Sequence, residues 1–400
     1  MLIKRLKISR LLSFGLKGID IELKNLNVLI GPNGSGKSNL IEVLALLKAA
    51  PTQLALPIKS GGGIEEWLWK APQKGGIRLI NRHASFRADI VHVGTHGLMF
   101  EHTIQIGMHA SRFEVEKEEV SWAKSATNAS RIIYKFEGDS AYLRENDPEG
   151  NRKGAMHKIP RKDIQPEESV LSQFRDPLRY PYLNYIQVYY AQIAIFRKWS
   201  MGPDSEPRQG SKIDERDDFL TDGGGNLANS IARISMDSEA KREFLEALRE
   251  IYSGIVDVQA LPQGGQMQVF VTEEGGRQIP ASRLSDGTLR YLCLLAVLLH
   301  PKPPKLIVIE EPEIGLHPDV ILHLARQLVR TSEKTQLVVT THSRMLIDAM
   351  GDEPARIIVC DKENGETYLK RLSKKALSVW LEKYSLGELW SMGKIGGNRW

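Results

Sequence analysis

The nine residues Gly31 to Asn39, GPNGSGKSN, stand between the apolar run Leu26-Asn27-Val28-Leu29-Ile30 and the helix-like stretch Leu40 to Ala50. A glycine-rich turn ending in Gly-Lys-Ser, entered from a buried strand and left through a helix, commits a chain to a mixed α/β fold with a phosphate-binding loop. Gly31, Gly34 and Gly36 let backbone N–H groups curl around phosphate oxygens with no Cβ in the way. The predicted nucleotide contacts are therefore Asn33, Gly34, Ser35, Gly36, Lys37, Ser38 and Asn39. Lys37 supplies a point charge to the β- and γ-phosphates and Ser38 a hydroxyl to Mg²⁺, while the following helix points its positive end at them.

The second half of such a site is legible near the other end of the chain. Lys305-Leu306-Ile307-Val308-Ile309 is a short unbroken apolar run, the mark of a strand buried on both faces, and it ends in Glu310-Glu311-Pro312-Glu313. At the end of such a strand the first carboxylate, Glu310, is expected to hold Mg²⁺ through water, and Glu311 to orient or deprotonate an attacking water. Upstream, Ser285, Asp286 and Gly287 open the apolar helical stretch Leu289 to Leu299, a second helix start suited to anions. Downstream, Gln336-Leu337-Val338-Val339-Thr340 reads as another buried strand delivering Thr341-His342-Ser343, where His342 can sense a γ-phosphate.

The order of these motifs resembles the ABC ATPase arrangement: Walker A, LSDGT in place of the signature, Walker B, a D-loop at Gly315-Leu316-His317-Pro318, and the switch histidine at His342. Within that superfamily the chain most resembles the RecF/SMC-like branch and the small AAA-type ATPases related to the OLD family. The resemblance is carried by GPNGSGKSN, by SDG in place of SGGQ, by IEEPEIGLHP, by DGGGNLANSI from Asp222 to Ile231, and by LGELWSMGKIGGN from Leu386 to Asn398. It spans nearly the whole chain and is weakest over Phe86 to Gly210; Glu310 departs from the Asp usual in ABC proteins.

The resemblance implies a P-loop NTPase head of ABC type, with an N-terminal β-rich lobe and an inserted β-meander. It implies hydrolysis of ATP to ADP and phosphate with Mg²⁺, Lys37, Glu311 and His342 being the catalytic residues. Ser285 and Gly287 would cap the nucleotide of a second protomer in an ATP-sandwiched homodimer. It further implies a role in DNA maintenance or antiphage defence, beside a separately encoded effector such as a nuclease. No acidic cluster of the Toprim type follows Ser343, so the nuclease half of full-length OLD proteins is expected to be absent. The alternative is a slow-turnover, nucleotide-gated scaffold for protein partners. A transporter motor is disfavoured by the β-rich insertion, the SDG signature and the lack of membrane spans.

Because the two halves of the site come from opposite ends of 400 residues, the chain is expected to be one head rather than several domains. Its segments would be 1–85 with Walker A, the β-rich insertion 86–210, a helical and hairpin segment 211–280, and 281–400 with the signature, Walker B and His342. Two cysteines exclude a disulfide framework or a Cys-based zinc site, and Cys293 and Cys360 read as buried small hydrophobes. Lys4, Arg5 and Lys7 lead into no continuous apolar segment, and the longest apolar run, Leu292 to Leu299, is far short of the ~20 residues a bilayer helix needs. A cytoplasmic enzyme without a membrane partner is expected.

With 54 basic and 49 acidic residues the net charge of +5 is ordinary, so DNA binding rests on local clusters. These are Lys4-Arg5-Lys7-Arg10, Arg78-Arg82-Arg87 and Arg152-Lys153-Lys158-Arg161-Lys162, each of which also reads as a solvated face. Three strands are expected between Leu2 and Ile30, a packed surface turn holding Trp67 and Trp69, and a meander between Phe86 and Leu143. An exposed loop is expected at Asp147 to Pro166, a polar loop at Gly202 to Asp218, a strand over Tyr185 to Ile195, and two helices over Asn226 to Ser253. Strands at Val256 to Ala260 and Met267 to Thr272 lead to the signature. No sustained heptad is present, so no long coiled coil is expected.

Overall fold

In the computed structural model the described residues are 1–70, 82–92, 98–124, 130–145, 156–197, 199–215 and 219–397. At the centre is a six-stranded sheet in the order Ile193–Phe196, Leu306–Glu310, Gln336–Thr340, Leu26–Ile30, Ile357–Glu363 and Glu366–Arg371. The first five strands are parallel and the last is antiparallel. Alternate side chains of its inner strands go to opposite cores. Leu29, Leu306, Val308 and Val338 pack with the phosphate-loop helix Lys37–Ala49, whereas Val28, Ile307, Ile309 and Val339 pack with the signature helix Asp286–Leu298 and the helix Pro318–Lys334. Two buried faces explain why these strands read as unbroken apolar runs rather than alternating ones.

The first core is closed by an eight-stranded antiparallel sheet in the order Ile19–Glu22, Ile3–Ser9, His83–Val91, Leu98–His109, Arg112–Lys124, Ser130–Glu137, Ser140–Arg144 and Met156–Pro160. The meander thus continues the N-terminal strands, and the boundary expected at residue 85 falls within the strand His83–Val91. The two sheets are joined by Gln336, which is fully buried. Its Oε1 accepts from the N–H groups of Leu2 (3.0 Å) and Ile3 (2.9 Å), and its Nε2 donates to the Ile3 (2.7 Å) and Lys24 (3.1 Å) carbonyls. A third sheet, of Ser211–Lys212, Gln266–Glu273, Ile255–Gln263 and Gln278–Pro280, lies beside the helices Leu227–Ser235 and Ser238–Arg249.

Three local expectations are corrected. Tyr185 to Ile195 is not a strand: the helix Pro181–Ala191 occupies most of it, and the strand begins only at Ile193. Pro181 at the first helical position and buried Leu183, Ile186 and Tyr190 at helical spacing outweigh the β-propensity of the Tyr and Val residues. Trp67 and Trp69 are not on a surface turn; both are buried, Trp67 ending the short helix Ile64–Trp67.

The expected loop from Asp147 to Pro166 is ordered where it is described. Met156–Pro160 pairs with Ser140–Arg144, and Arg161 lies over the Phe136 ring and pairs with Glu114 at 3.0 Å. Arg152 and Lys153 lie outside the described residues, as do Arg78, Asn398 and the end of the Gly202–Asp218 segment. The described part of that segment is a polar loop as expected, largely exposed, and it is pinned to the fold by buried Ser205, Pro207, Ser211 and the Arg208 side chain.

Candidate nucleotide site

The strand Leu26–Ile30 lies in the interior of the central sheet, and the phosphate loop springs from its C-terminal end, where ligands of open parallel sheets bind. Asn33 and Gly34 are exposed at the tip of the loop, while Ser35, Gly36 and Lys37 are buried. Gly36 adopts φ +101°, and a Cβ there would fall 2.3 Å from Thr367 Oγ1. Thr367 supports the loop from beneath. Its hydroxyl donates to the Ser35 carbonyl (2.9 Å) and hydrogen-bonds with Ser13 Oγ (2.7 Å), which accepts from Asn39 Nδ2 (2.6 Å). Asn39 thus braces the loop from the helix side.

Lys37 Nζ donates to the carbonyls of Gly31 (2.8 Å) and Pro32 (3.1 Å), so its ammonium sits inside the curl of the loop. Burial pulls its pKa below the ordinary lysine value, opposed by the Cys360 thiol and by Glu311, Glu310 and Glu313. Three carboxylates from the opposite side of the site thus face this cation and keep it charged.

The strand Leu306–Glu310 brings the carboxylates to the loop. Ser38 Oγ donates to Glu310 Oε1 across 272 positions of sequence. Glu311 follows with φ +47°, a conformation that costs a non-glycine residue free energy and persists where surrounding contacts dictate it. Here its N–H is held by Thr340, by the carbonyl and by Oγ1, each at 3.1 Å. That turn brings the Glu311 carboxylate to 3.4 Å from His342 Nε2.

Burial, with Lys37 nearby, lowers the His342 pKa, and Glu311 and Glu313 oppose the shift. The imidazole is accordingly neutral at pH 7, with one ring nitrogen a donor and the other an acceptor. The loop carrying it is fixed by Glu313 Oε1, which accepts from the His342 N–H (2.8 Å) and from Thr341 Oγ1 (2.6 Å).

At the signature, Ser285 is the N-cap of the helix Asp286–Leu298 and its Oγ accepts from the Thr288 N–H at 3.2 Å. Gly287 faces the turn at Gly315: a Cβ on it would lie 3.2 Å from the Gly315 carbonyl. Asp286 is engaged elsewhere, in an ion pair with Arg208. Among the described residues no hydrogen bond joins Ser285, Asp286 or Gly287 to residues 31–39 of the same chain. His317 is exposed and caps the helix Pro318–Lys334 through the Asp319 N–H.

Two arginines that the motifs did not single out hold this half of the site together. Arg208 donates to the carbonyls of Met201 (2.9 Å), Leu284 (2.7 Å) and Ala281 (3.2 Å), fixing the entry to the signature helix. Arg290, on that helix, donates to the carbonyls of Glu311 and Trp199, each at 3.3 Å. A lone arginine in the apolar stretch Leu289 to Leu299 was the available signal for Arg290. Arg208 offered none.

The donor set suits a hard divalent cation: a serine hydroxyl and a carboxylate, both oxygen, at the phosphate loop. Among the described residues no group of three or more His, Cys, Asp or Glu could hold a metal. Burial pushes both thiols, Cys293 and Cys360, up to about 12, so neither is a nucleophile. Within the N-terminal basic clusters, Arg5 and Lys7 pair with Asp20, and Arg87 with Asp89 and Glu101. No helix among the described residues is long and apolar enough to cross a membrane.

The chain matches, over residues 26–348, the family described as "AAA domain, putative AbiEii toxin, Type IV TA system". It is 27% identical over 184 residues to the "Old nuclease" of Escherichia phage P2, a match covering 42% of this chain and about a third (31%) of that protein. Among solved structures it is similar to an SmcHead bound to the C-winged helix domain of ScpA, with a TM-score of 0.55 at 14% identity over 94% of this chain and 99% of the other. A second Smc head, with an extended coiled coil and bound to ScpA's C-terminal domain, derived from Pyrococcus furiosus, gives 0.56 at 14% identity over 95% and 98%. At that identity the likeness shows the fold, an ABC-type P-loop ATPase head. With phosphate loop, tandem carboxylates and histidine meeting at one end of its central sheet, the chain belongs to this AAA-domain family, as an ATPase of the SMC/ABC-like class.

Proposed function

We propose that this chain hydrolyses ATP to ADP and phosphate by in-line attack of water on the γ-phosphorus, and that hydrolysis resets a nucleotide-dependent association of two heads. The observation that supports it best is the meeting of Lys37, Glu310, Glu311 and His342, drawn from three separate strand ends. Lys37 leaves the Gly31 and Pro32 carbonyls for the phosphate oxygens, which offer the same donor a full negative charge. Glu311 accepts the proton of the attacking water, and His342 donates from its neutral ring toward the γ-phosphate. Ser38 and Glu310 would hold Mg²⁺, which when bound neutralises charge on the β- and γ-phosphates.

Ser285 and Gly287 stand on an exposed helix start with no bond to their own phosphate loop, an arrangement that suits capping the nucleotide of a second copy. ATP would then lie between two heads, and its loss would release them. The match to the Old nuclease favours work beside a nuclease or another effector in DNA maintenance or antiphage defence. Of the basic segment first considered for DNA, Lys158 and Lys162 are exposed and Arg161 is paired, so Lys158 and Lys162 are the described candidates for phosphate contact. The decisive experiment measures phosphate release with wild type and Glu311→Gln, each with and without duplex DNA. Release by wild type and its loss in the variant support the reading; absence of release under every condition leaves a nucleotide-gated scaffold in its place.

A further inference from the structure

Gly31, the first glycine of the phosphate loop, is enclosed on two sides. A Cβ on it would fall 2.2 Å from the Cys360 carbonyl, so the strand Ile357–Glu363 closes one side. The other is covered by the segment 386–397, for a Cβ on Gly397 would lie 3.3 Å from Gly31 Cα and 3.0 Å from Val359 Cγ1. Gly397 has φ +72°, which its lack of a side chain permits. Its carbonyl accepts from Trp390 Nε1 at 3.2 Å, and the indole is itself buried.

The same segment is anchored at its other end to the element that follows His342. The short helix Leu386–Ser391 begins with a capping box between Ser385 and Glu388. Its Gly387 N–H donates to Asp348 Oδ1 at 2.5 Å, and Arg344 lies 3.3 Å from Glu388. Arg344 and Asp348 belong to the helix Arg344–Asp348, which starts one residue after the Ser343 cap and two after His342. The segment therefore bridges the two sides of the nucleotide site, the histidine loop and the phosphate loop.

We infer that residues 386–397 form a latch on the phosphate loop, with Gly397 a positioning residue for ATP that acts through Gly31. The inference rests on the ATP reading above. Moving the latch shifts the Gly31 backbone, from which the phosphate-binding curl of residues 31–38 starts, and so weakens nucleotide affinity while leaving Glu311 and the water it activates in place.

The test compares two glycines of nearly the same conformation. Gly393 has φ +69°, close to the +72° of Gly397, but a Cβ on it meets nothing within 4 Å. Gly393→Ala and Gly397→Ala therefore both place a side chain at a similar positive φ, and only the second presses on the phosphate loop. Steady-state hydrolysis and ATP binding are measured on wild type and both variants, together with melting temperature. Gly397→Ala is expected to raise the KM and Kd for ATP at least about fivefold, the lower end of usual coupling between sites, with kcat within about twofold. Gly393→Ala should match wild type in KM while still losing thermal stability through its positive φ. Equal KM values for the two variants would overturn the latch.

If Gly397→Ala does not fold, Trp390→Phe removes the indole donor to Gly397 while keeping an aromatic ring, and is expected to raise KM about twofold or more at unchanged kcat; an unchanged KM in that variant also overturns it. Failure of the ATP reading itself is distinguishable, because it appears as absent ATP binding in wild type.

Discussion

The Glu313 carboxylate accepts the His342 backbone N–H at 2.8 Å, so the residue three places past the end of the carboxylate strand fixes the main chain of the histidine loop. The same oxygen takes the Thr341 hydroxyl at 2.6 Å. Glu313→Ala should therefore lower kcat about tenfold or more by letting His342 drift, with ATP affinity little changed. Glu313→Gln keeps an oxygen acceptor and should recover part of the loss. Phosphate-release kinetics alongside nucleotide binding separate the two; a fall in affinity as large as the fall in kcat would place Glu313 in binding instead.

Lys37 and Glu311 serve different steps. Lys37→Ala should weaken ATP binding by about tenfold or more, since it removes the buried charge that faces the phosphates. Glu311→Gln should keep affinity and lose about a hundredfold in turnover, the usual scale of a general base. Isothermal titration with ATP and Mg²⁺ on both variants is the check, and equal loss of binding in the two contradicts the assignment.

If Ser285 acts on the nucleotide of a second copy, Glu311→Gln with ATP and Mg²⁺ should run at a larger mass than without nucleotide. Adding Ser285→Arg should abolish the increase while each head still binds ATP. Ser285 is exposed at a helix start, so the change should leave the fold intact. Light scattering reads the mass, and a value independent of nucleotide in both proteins argues against trans capping.

Gln336→Leu should destabilise the chain by about 3 kcal/mol, because it leaves buried N–H groups of Leu2 and Ile3 and two carbonyls without a partner. Urea unfolding measures it. A change below about 1 kcal/mol would mean that these groups find other acceptors.

The pH dependence of stability carries the signature of His342. Its folded pKa is below its ordinary value of 6.5, because burial disfavours the charged ring. The unfolded chain thus binds its proton first as pH falls, so the stability linked to this group is whole above 6.5 and is lost as pH drops through the lower folded value. His342→Gln should flatten the fall of melting temperature on the acid side of 6.5 and leave the neutral range unchanged. An unaltered acid limb would show that the ring is solvated.

The sequence by itself determined the chemistry-bearing segments and their order. A Gly-rich loop must be glycine-rich for local steric reasons, a strand buried on both faces must be apolar throughout, and a helix start must be capped, so GPNGSGKSN, LIVIE, QLVVT and SDGT each declare themselves within a few residues. What segment 181–191 would become was not decided at that range. Tyr and Val favour a strand locally, and the helix won because Leu183, Ile186 and Tyr190 share one buried face.

Which distant residues touch was set by long-range packing. Ser38 meets Glu310 and Glu313 holds His342 because the sheet order sets the strand Leu26–Ile30 beside Gln336–Thr340 and that strand beside Leu306–Glu310. Arg208 and Arg290 gained their roles from carbonyls that converge on them, and a carbonyl's position is a property of the folded backbone with no trace in residue type. Gly397 is one glycine among many in the sequence; its contact with Gly31 exists because the segment folds back from the Arg344–Asp348 helix to the phosphate loop. Local propensity fixes what a segment can be, whereas long-range packing fixes what it touches, and the site depends on the second.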